Sequence, residues 1–250
     1  MKLFGLLGNK LTHSFSVKYF TEKFQREGLS GQVMYRNFEI PDLDEFITLV
    51  ETEKQLFGLN VTFPYKERII PYLNHVDDVA ADTGAVNTIK IQRNGSGNLL
   101  FMEGYNTDAV GFQSAIETLF LPQQKKGALI LGNGGAAKAV QYCLKKLAIP
   151  FLVVTRKNDG NLMFEEVNKD HFQNYPLIIN TTPLGTYPDI TNSPPIPYHL
   201  LSAENLLFDL VYNPEMTTFM KLGFANGAKV ENGLKMLHAQ AEASWAIWNS

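Results

Sequence analysis

The sequence predicts an α/β protein of two units, the second built on a doubly wound parallel sheet. Three observations point there. Short apolar runs alternate with amphipathic stretches along most of the chain, and a glycine-rich turn at residues 132–137 joins one such run to a helical stretch. The runs after that turn are separated by crossovers long enough for helices. With 250 residues, 45% of them apolar, the chain can bury a sizeable core, and the motif layout divides it into two modest domains.

Taken in order, residues 2–7 read as a buried strand and 16–28 as an amphipathic helix. Residues 33–38 read as a second strand, and 41–53 as a helix with acids in its first turn. Residues 57–61 form a third apolar run, and Pro64 opens a short helix over 64–70. Residues 86–92 and 99–103 make a hairpin around Asn94-Gly95. A helix over 107–120 leads into a strand at 128–131, the glycine turn and a helix over 136–147. Later strands fall at 151–154, 177–180, 206–211 and 229–230, and a last helix at 233–248 is apolar on one side, where Met236 and Leu237 read as core. The proline-rich run at 191–197 reads as a surface loop.

Composition excludes several classes. Charged residues are 19% of the chain and sum to −3, so no broad attraction to nucleic acid or anionic lipid is expected, and an anionic substrate needs a local site. Cys143 is the only cysteine, which excludes an intramolecular disulfide and a four-thiolate metal site, and no metal is expected. Such a chain suits a reducing cytosol. Residues 1–8 lack the long apolar core and cleavage site of a secretory signal, and no stretch approaches the length of a membrane span.

The turn Gly132-Asn133-Gly134-Gly135-Ala136-Ala137 has the G-x-G-x-x-G/A spacing in its informative context, after a strand and at the start of a helix. Gly132 permits the tight turn, Gly134 removes the side chain that would block a pyrophosphate, and Ala137 allows close helix–sheet packing. Phosphate oxygens then meet free helix N–H groups. An ordinary glycine turn is the plainer alternative, and the flanking strand and helix favour a nucleotide. The second strand of such a fold ends in an acid where the cofactor is NAD. Here it ends in Thr155-Arg156-Lys157, whose cations and hydroxyl suit a 2′-phosphate, so NADP is expected over NAD.

Hydride transfer to or from an alcohol carbon also moves a proton on the oxygen, which requires a titratable side chain beside it. Lys66, in Asn60-Val61-Thr62-Phe63-Pro64-Tyr65-Lys66, and Asp108, in Gly104-Tyr105-Asn106-Thr107-Asp108, are candidates. Taken singly, the first also reads as a surface cation and the second as a helix-start acid. Further motifs are Thr12-His13-Ser14-Phe15-Ser16, Gly84-Ala85-Val86-Asn87-Thr88, Asn180-Thr181-Thr182-Pro183-Leu184-Gly185, Asp209-Leu210-Val211-Tyr212-Asn213-Pro214, and Asn232-Gly233-Leu234-Lys235-Met236-Leu237 with Gln240.

As an ordered set these segments resemble shikimate dehydrogenase from the first strand to the last helix. The resemblance implies interconversion of 3-dehydroshikimate and shikimate with NADP(H), with Lys66 and Asp108 as the catalytic pair. It places Ser14 and Ser16 on the substrate carboxylate, where an i, i+2 spacing on an extended segment aims both hydroxyls to one side. It places Asn60, Thr62, Asn87, Asp108 and Gln240 on the ring hydroxyls, and Tyr212 near the carboxylate. A helix N-cap is the plainer role for either serine.

On the cofactor side it implies Gly132, Asn133, Gly134, Gly135 and Ala136 at the pyrophosphate and Thr155, Arg156 and Lys157 at the adenosine end. Gly233 falls under the nicotinamide, with Asp78 near it, and Thr181 and Leu210 also touch the cofactor. The chain departs from the family pattern twice: Val17 stands where a proline usually follows the serines, and the cofactor turn reads Thr-Arg-Lys for the usual Asn-Arg-Thr. The resemblance further implies an α/β substrate domain over 1–107, to which a helix over 232–250 returns. It implies a Rossmann-type NADP domain over 108–231, with the active site in the cleft between them. Expected partners are the small-molecule substrate alone, with no nucleic acid or membrane, in a cytoplasmic monomer or homodimer. The alternatives are a quinate/shikimate dehydrogenase using NAD, a non-catalytic nucleotide sensor of the same fold, and a folate-type dehydrogenase, which gives no reason for the paired serines.

Overall fold

An apolar run closed by glycine opens the chain as β1 (Lys2–Gly8), in a computed structural model that describes residues 1–11, 15–119, 126–157 and 159–250. Contacts divide the chain into two compact units, Met1–Thr107 with Ala241–Ser250, and Asp108–Gln240. In the first unit, α1 (Phe15–Arg26) leads to β2 (Val33–Glu39), and a 3-10 turn (Leu43–Glu45) leads to α2 (Phe46–Thr52) and β3 (Leu56–Val61). After a second 3-10 turn (Ile70–Tyr72) come β4 (His75–Val76), α3 (Asp78–Thr83), β5 (Thr88–Arg93) and β6 (Leu99–Tyr105). The sheet order is β2-β1-β3-β5-β6-β4, with β1 parallel to both neighbours and β5 antiparallel to both of its own.

Side-chain alternation along β1 builds a core on each face of this sheet. Leu3 and Leu7 pack with Phe46, Val50, Leu56 and Leu59, whereas Phe4 packs with Phe20, Phe24, Tyr35 and Trp248. Trp248 lies over Gly58, where a Cβ would strike the indole, and its Nε1 donates to the Ile89 carbonyl at 3.0 Å. The buried Lys23 ammonium joins α1 to the end of the chain, donating to Glu27 at 2.6 Å and to Glu242 at 2.7 Å.

In the second unit, α4 (Thr107–Leu119, its first residue counted with the first unit) precedes β7 (Ala128–Leu131), α5 (Gly135–Lys146), β8 (Phe151–Thr155), β9 (Leu162–Met163) and α6 (Lys169–Asn174). Then follow β10 (Leu177–Asn180), β11 (Leu206–Asp209), α7 (Thr218–Ala225), β12 (Lys229–Asn232) and α8 (Leu234–Asn249), whose last turns belong to the first unit. The strand order is β12-β11-β10-β7-β8-β9 with every pairing parallel, a doubly wound sheet that reverses direction between β7 and β10. β7 and β10 are buried at every position, as strands covered on both faces require.

Three local expectations are corrected. Residues 64–69 form turns, and only Ile70–Tyr72 is helical, as 3-10. The Tyr65 hydroxyl donates to the Ile40 carbonyl at 2.6 Å, the Lys66 carbonyl accepts from the distant Val86 N–H at 2.7 Å, and the i→i+4 bond from Ile69 N–H to the Tyr65 carbonyl at 2.9 Å does not extend into a ladder. The helix expected over 41–53 divides into a 3-10 turn and α2, since Asp42 caps the first by accepting from Asp44 N–H. The short elements β4, α3 and β9 were not expected, while α6 and α7 fall in crossovers long enough for helices. Asp77, Asn168 and Thr217 cap the three helices among them through their side chains.

Candidate active site

The cofactor residues expected in the second unit gather at the carboxyl ends of its parallel strands. Gly132 follows β7 with φ +107, and a Cβ there would lie 2.9 Å from Thr181 Oγ1 and 3.0 Å from Thr182 Cγ2. Only glycine brings the turn this close to the segment after β10. Thr181 locks the approach from its own side, since its N–H and hydroxyl both donate to the Leu131 carbonyl, at 3.0 and 2.8 Å. Gly134 is the N-cap of α5 without a side-chain cap, and a Cβ built there meets nothing within 4 Å. The open position and the N–H groups of the first turn, which have no acceptor within the helix, fit a pyrophosphate.

The basic turn after β8 adjoins the same loop. Asn133 Nδ2 donates to the Asp159 carbonyl at 3.0 Å, fastening the glycine turn to the segment that carries Thr155, Arg156 and Lys157. Thr155 is buried and its hydroxyl donates to the Lys157 carbonyl, so it shapes the turn, while Arg156 and Lys157 are exposed. At the opposite side of the reversal, Gly233 packs its backbone on Leu210. A Cβ at Gly233 would strike the Leu210 carbonyl oxygen and lie 3.0 Å from its Cα. Tyr212 follows β11 half-buried, and burial raises its phenol pKa. Asp78 belongs to the first unit, exposed in the first turn of α3.

Two groups that sequence reasoning passed over organise this edge. Asp209, fully buried, accepts from Asn180 Nδ2 at 2.9 Å, from Val211 N–H at 3.0 Å and from Thr217 Oγ1 at 2.6 Å. Burial raises its pKa to about 6 against the pull of those donors. Asn180 Oδ1 in turn accepts from the N–H and hydroxyl of Thr182, at 3.0 and 2.7 Å. An Asn and an Asp each ending a parallel strand was the available signal.

In the first unit, the residues expected to meet substrate lie at the start of α1 and near the ends of β3 and β5. Thr62 N–H donates to the Leu7 carbonyl at 3.0 Å, and half-buried Lys66 is held through its carbonyl by Val86. Asn87 Oδ1 accepts from Thr107 N–H at 2.7 Å, which anchors the residue immediately before Asp108. Asp108 itself is buried, in the first turn of α4. Asn60 is buried with its amide turned inward, accepting from Tyr35 at 2.8 Å and donating to Ser244 at 2.9 Å and Thr88 at 3.1 Å. Ser16 is the second residue of α1, so the extended segment expected around it is a helix start. Phe15 stacks on Tyr19 four residues on, which brings the helix forward to position 15. Ser14 lies outside the described residues. Gln240 belongs to the second unit, beside Gly111, where a Cβ would come within 3.0 Å of it. Among the described residues no group of three or more His, Cys, Asp or Glu side chains could hold a metal ion.

A six-stranded parallel sheet with a glycine turn at its reversal, joined in one chain to a second α/β unit, defines a Rossmann-type nucleotide-binding protein. Residues 6–89 match the family described as the shikimate dehydrogenase substrate binding domain. The chain is 36% identical over 259 residues to the NADP(+) shikimate dehydrogenase of Clostridium beijerinckii, covering 99% of this chain and 92% of that protein. The crystal structure of shikimate dehydrogenase 1 from Peptoclostridium difficile aligns with TM-score 0.82 at 36% identity, covering 100% of this chain and 92% of the other. The shikimate 5-dehydrogenase of Thermus thermophilus in complex with NADP(H) and shikimate aligns with TM-score 0.83 at 30% identity, covering 99% and 93%. This chain belongs to the shikimate dehydrogenase family.

Proposed function

We propose that the protein interconverts 3-dehydroshikimate and shikimate with NADP(H), a step toward chorismate and the aromatic amino acids. The observation that carries this reading is the similarity to NADP-dependent shikimate dehydrogenases along 99% of the chain. Bound NADPH supplies the hydride. The chain's own residues do the rest. Residues 1–107 with the returning C-terminal helix hold the substrate, and residues 108–231 hold the dinucleotide, on the glycine turn and on Arg156 and Lys157.

In the reducing direction the Lys66 ammonium gives a proton to the carbonyl oxygen as the carbon is reduced, and in the oxidising direction the neutral amine accepts it. Asp108 accepts a hydrogen bond from the same hydroxyl and keeps the lysine oriented. Ser14 and Ser16 donate to the carboxylate with Tyr212 nearby, and Thr62, Asn87 and Gln240 hydrogen-bond the ring hydroxyls. A crowded polar lining gives selectivity, since a buried group left unmatched costs about 1–3 kcal/mol. Among the described residues no helix is long and apolar enough to cross a membrane. The same reading places the enzyme in the cytoplasm as a monomer or homodimer without nucleic-acid or membrane partners.

The test is NADPH consumption, followed by absorbance, on adding 3-dehydroshikimate. Ketone-dependent oxidation is expected. NADPH binding with no ketone-dependent oxidation would mark a nucleotide sensor instead.

A further inference from the structure

Thr88 stands at the centre of a buried cluster of small polar side chains in the first unit. It is fully buried, as is Ser244, and Asn60, Asn87 and Thr107 beside it are nearly so. Its hydroxyl lies 3.1 Å from Asn60 Nδ2, 2.8 Å from Ser244 Oγ, 3.1 Å from Thr107 Oγ1 and 3.2 Å from Asn87 Oδ1. Thr107 and Ser244 are themselves 3.1 Å apart, so the three hydroxyls close a triangle.

Donor and acceptor chemistry gives this cluster a direction. Asn87 Oδ1 can only accept, and the Thr107 backbone N–H at 2.7 Å can only donate, so the oxygen edge of that amide is fixed inward. The Thr107 hydroxyl at 3.1 Å and the Thr88 hydroxyl add further donors to the same oxygen. At the far side, Tyr35 donates to Asn60 Oδ1 at 2.8 Å, which leaves the Asn60 nitrogen to donate to Ser244 and Thr88 and, at 3.4 Å, toward the Asn87 carbonyl. Protons therefore run from the phenol through Asn60 and the hydroxyls to the Asn87 oxygen. A flipped Asn87 would aim its NH2 group at donors, which low-dielectric surroundings make costly.

We infer that Thr88 is a positioning residue of the substrate site, its hydroxyl holding the Asn87 amide with the oxygen inward and the nitrogen edge turned the other way. Asn60 belongs to the same frame. The inference rests on the reading of Asn87 as a substrate-binding residue. It adds that the donor polarity of Asn87 is set from behind, by a side chain that touches no substrate.

The test uses the full-length enzyme, with KM for shikimate, KM for NADP and kcat measured separately. Thr88→Val keeps the shape and removes the hydroxyl. It is expected to raise KM for shikimate roughly fivefold, the scale of one lost hydrogen bond, with kcat within about twofold and KM for NADP unchanged. Thr88→Ser restores the hydroxyl and most of the affinity. In an Asn87→Ala background, Thr88→Val should add little, because the amide it positions is gone. Equal effects with and without the Asn87 amide, or a Thr88→Ser enzyme as weak as Thr88→Val, would overturn the inference. Asn87→Ala with unchanged KM for shikimate would instead sink the substrate-site reading on which it rests. If Thr88→Val does not fold, Ser244→Ala removes the neighbouring hydroxyl and is read in the same two backgrounds.

Discussion

Asp209 accepts a hydrogen bond from the Asn180 side chain at 2.9 Å and so ties the carboxyl ends of β10 and β11 together, next to Thr181 and Leu210. The carboxylate is fully buried, and burial raises its pKa from 3.8 to about 6. A raised folded-state value means the native state binds the proton more tightly than the unfolded chain does. The stability it contributes is therefore complete below about pH 4 and is lost as pH rises through about 6, by roughly 3 kcal/mol. Asp209→Asn, which has no group titrating there, is expected to remove the pH slope in that window. Melting temperatures between pH 4 and 7 check this, and a slope that survives in the variant would assign it to another group.

Gly134 and Gly233 are both proposed to meet the cofactor, and their surroundings predict opposite effects on folding. Alanine at Gly134 enters open space at φ −88, so Gly134→Ala should melt like the parent and lose NADP affinity tenfold or more, by ~1.4 kcal/mol. Alanine at Gly233 collides with the Leu210 backbone, which cannot turn aside. Gly233→Ala should lose about 1–3 kcal/mol of stability together with NADP affinity. Thermal melts and fluorescence titration with NADPH separate the two, and equal melting temperatures would contradict the packing argument.

The parallel sheet of the second unit was legible because its central strands are short, mostly apolar runs buried on both faces, with the glycine turn fixing which end faces a ligand. The segment 64–70 was not, because Pro64 is a good local signal for a helix start while the Tyr65 and Lys66 partners, Ile40 and Val86, lie far off in sequence. The same reason hid Thr88. Its partners Asn60, Thr107 and Ser244 come from three distant segments, and one threonine on a strand carries no local mark of a hub. Asp209 and Asn180 stood inside recognised motifs, yet a mutual bond across adjacent parallel strands needs the register, which periodicity does not supply.

Arg156 and Lys157 are the residues proposed to carry the choice between NADP and NAD. Thr155 is buried with its hydroxyl bound to the Lys157 carbonyl, so it serves the turn, and the two exposed cations remain for a 2′-phosphate. Arg156→Gln is expected to raise KM for NADP by roughly 10- to 100-fold, since charge-assisted pairs contribute about 1.5–3 kcal/mol, with KM for NAD little changed. Steady-state kinetics with both cofactors decides it. A parallel rise for NAD would place the arginine on the adenine or ribose and not on the phosphate.

Lys66 and Asp108 are buried or half-buried and each is fixed through backbone neighbours, Lys66 by Val86 and Asp108 by the bond from Thr107 N–H to Asn87. Such anchoring suits the catalytic roles proposed for them. Lys66→Met keeps the aliphatic stem and removes the ammonium, and Asp108→Asn keeps the shape and removes the charge. Each is expected to lower kcat by roughly 10²–10⁴-fold, the range of positioned acid–base catalysis, with NADPH binding nearly unchanged. Because the two are proposed to serve the same proton, the double variant should be little slower than the worse single one. Multiplicative losses would mean that they act at separate steps, and a weakened NADPH titration with normal kcat would move Lys66 out of the chemistry altogether.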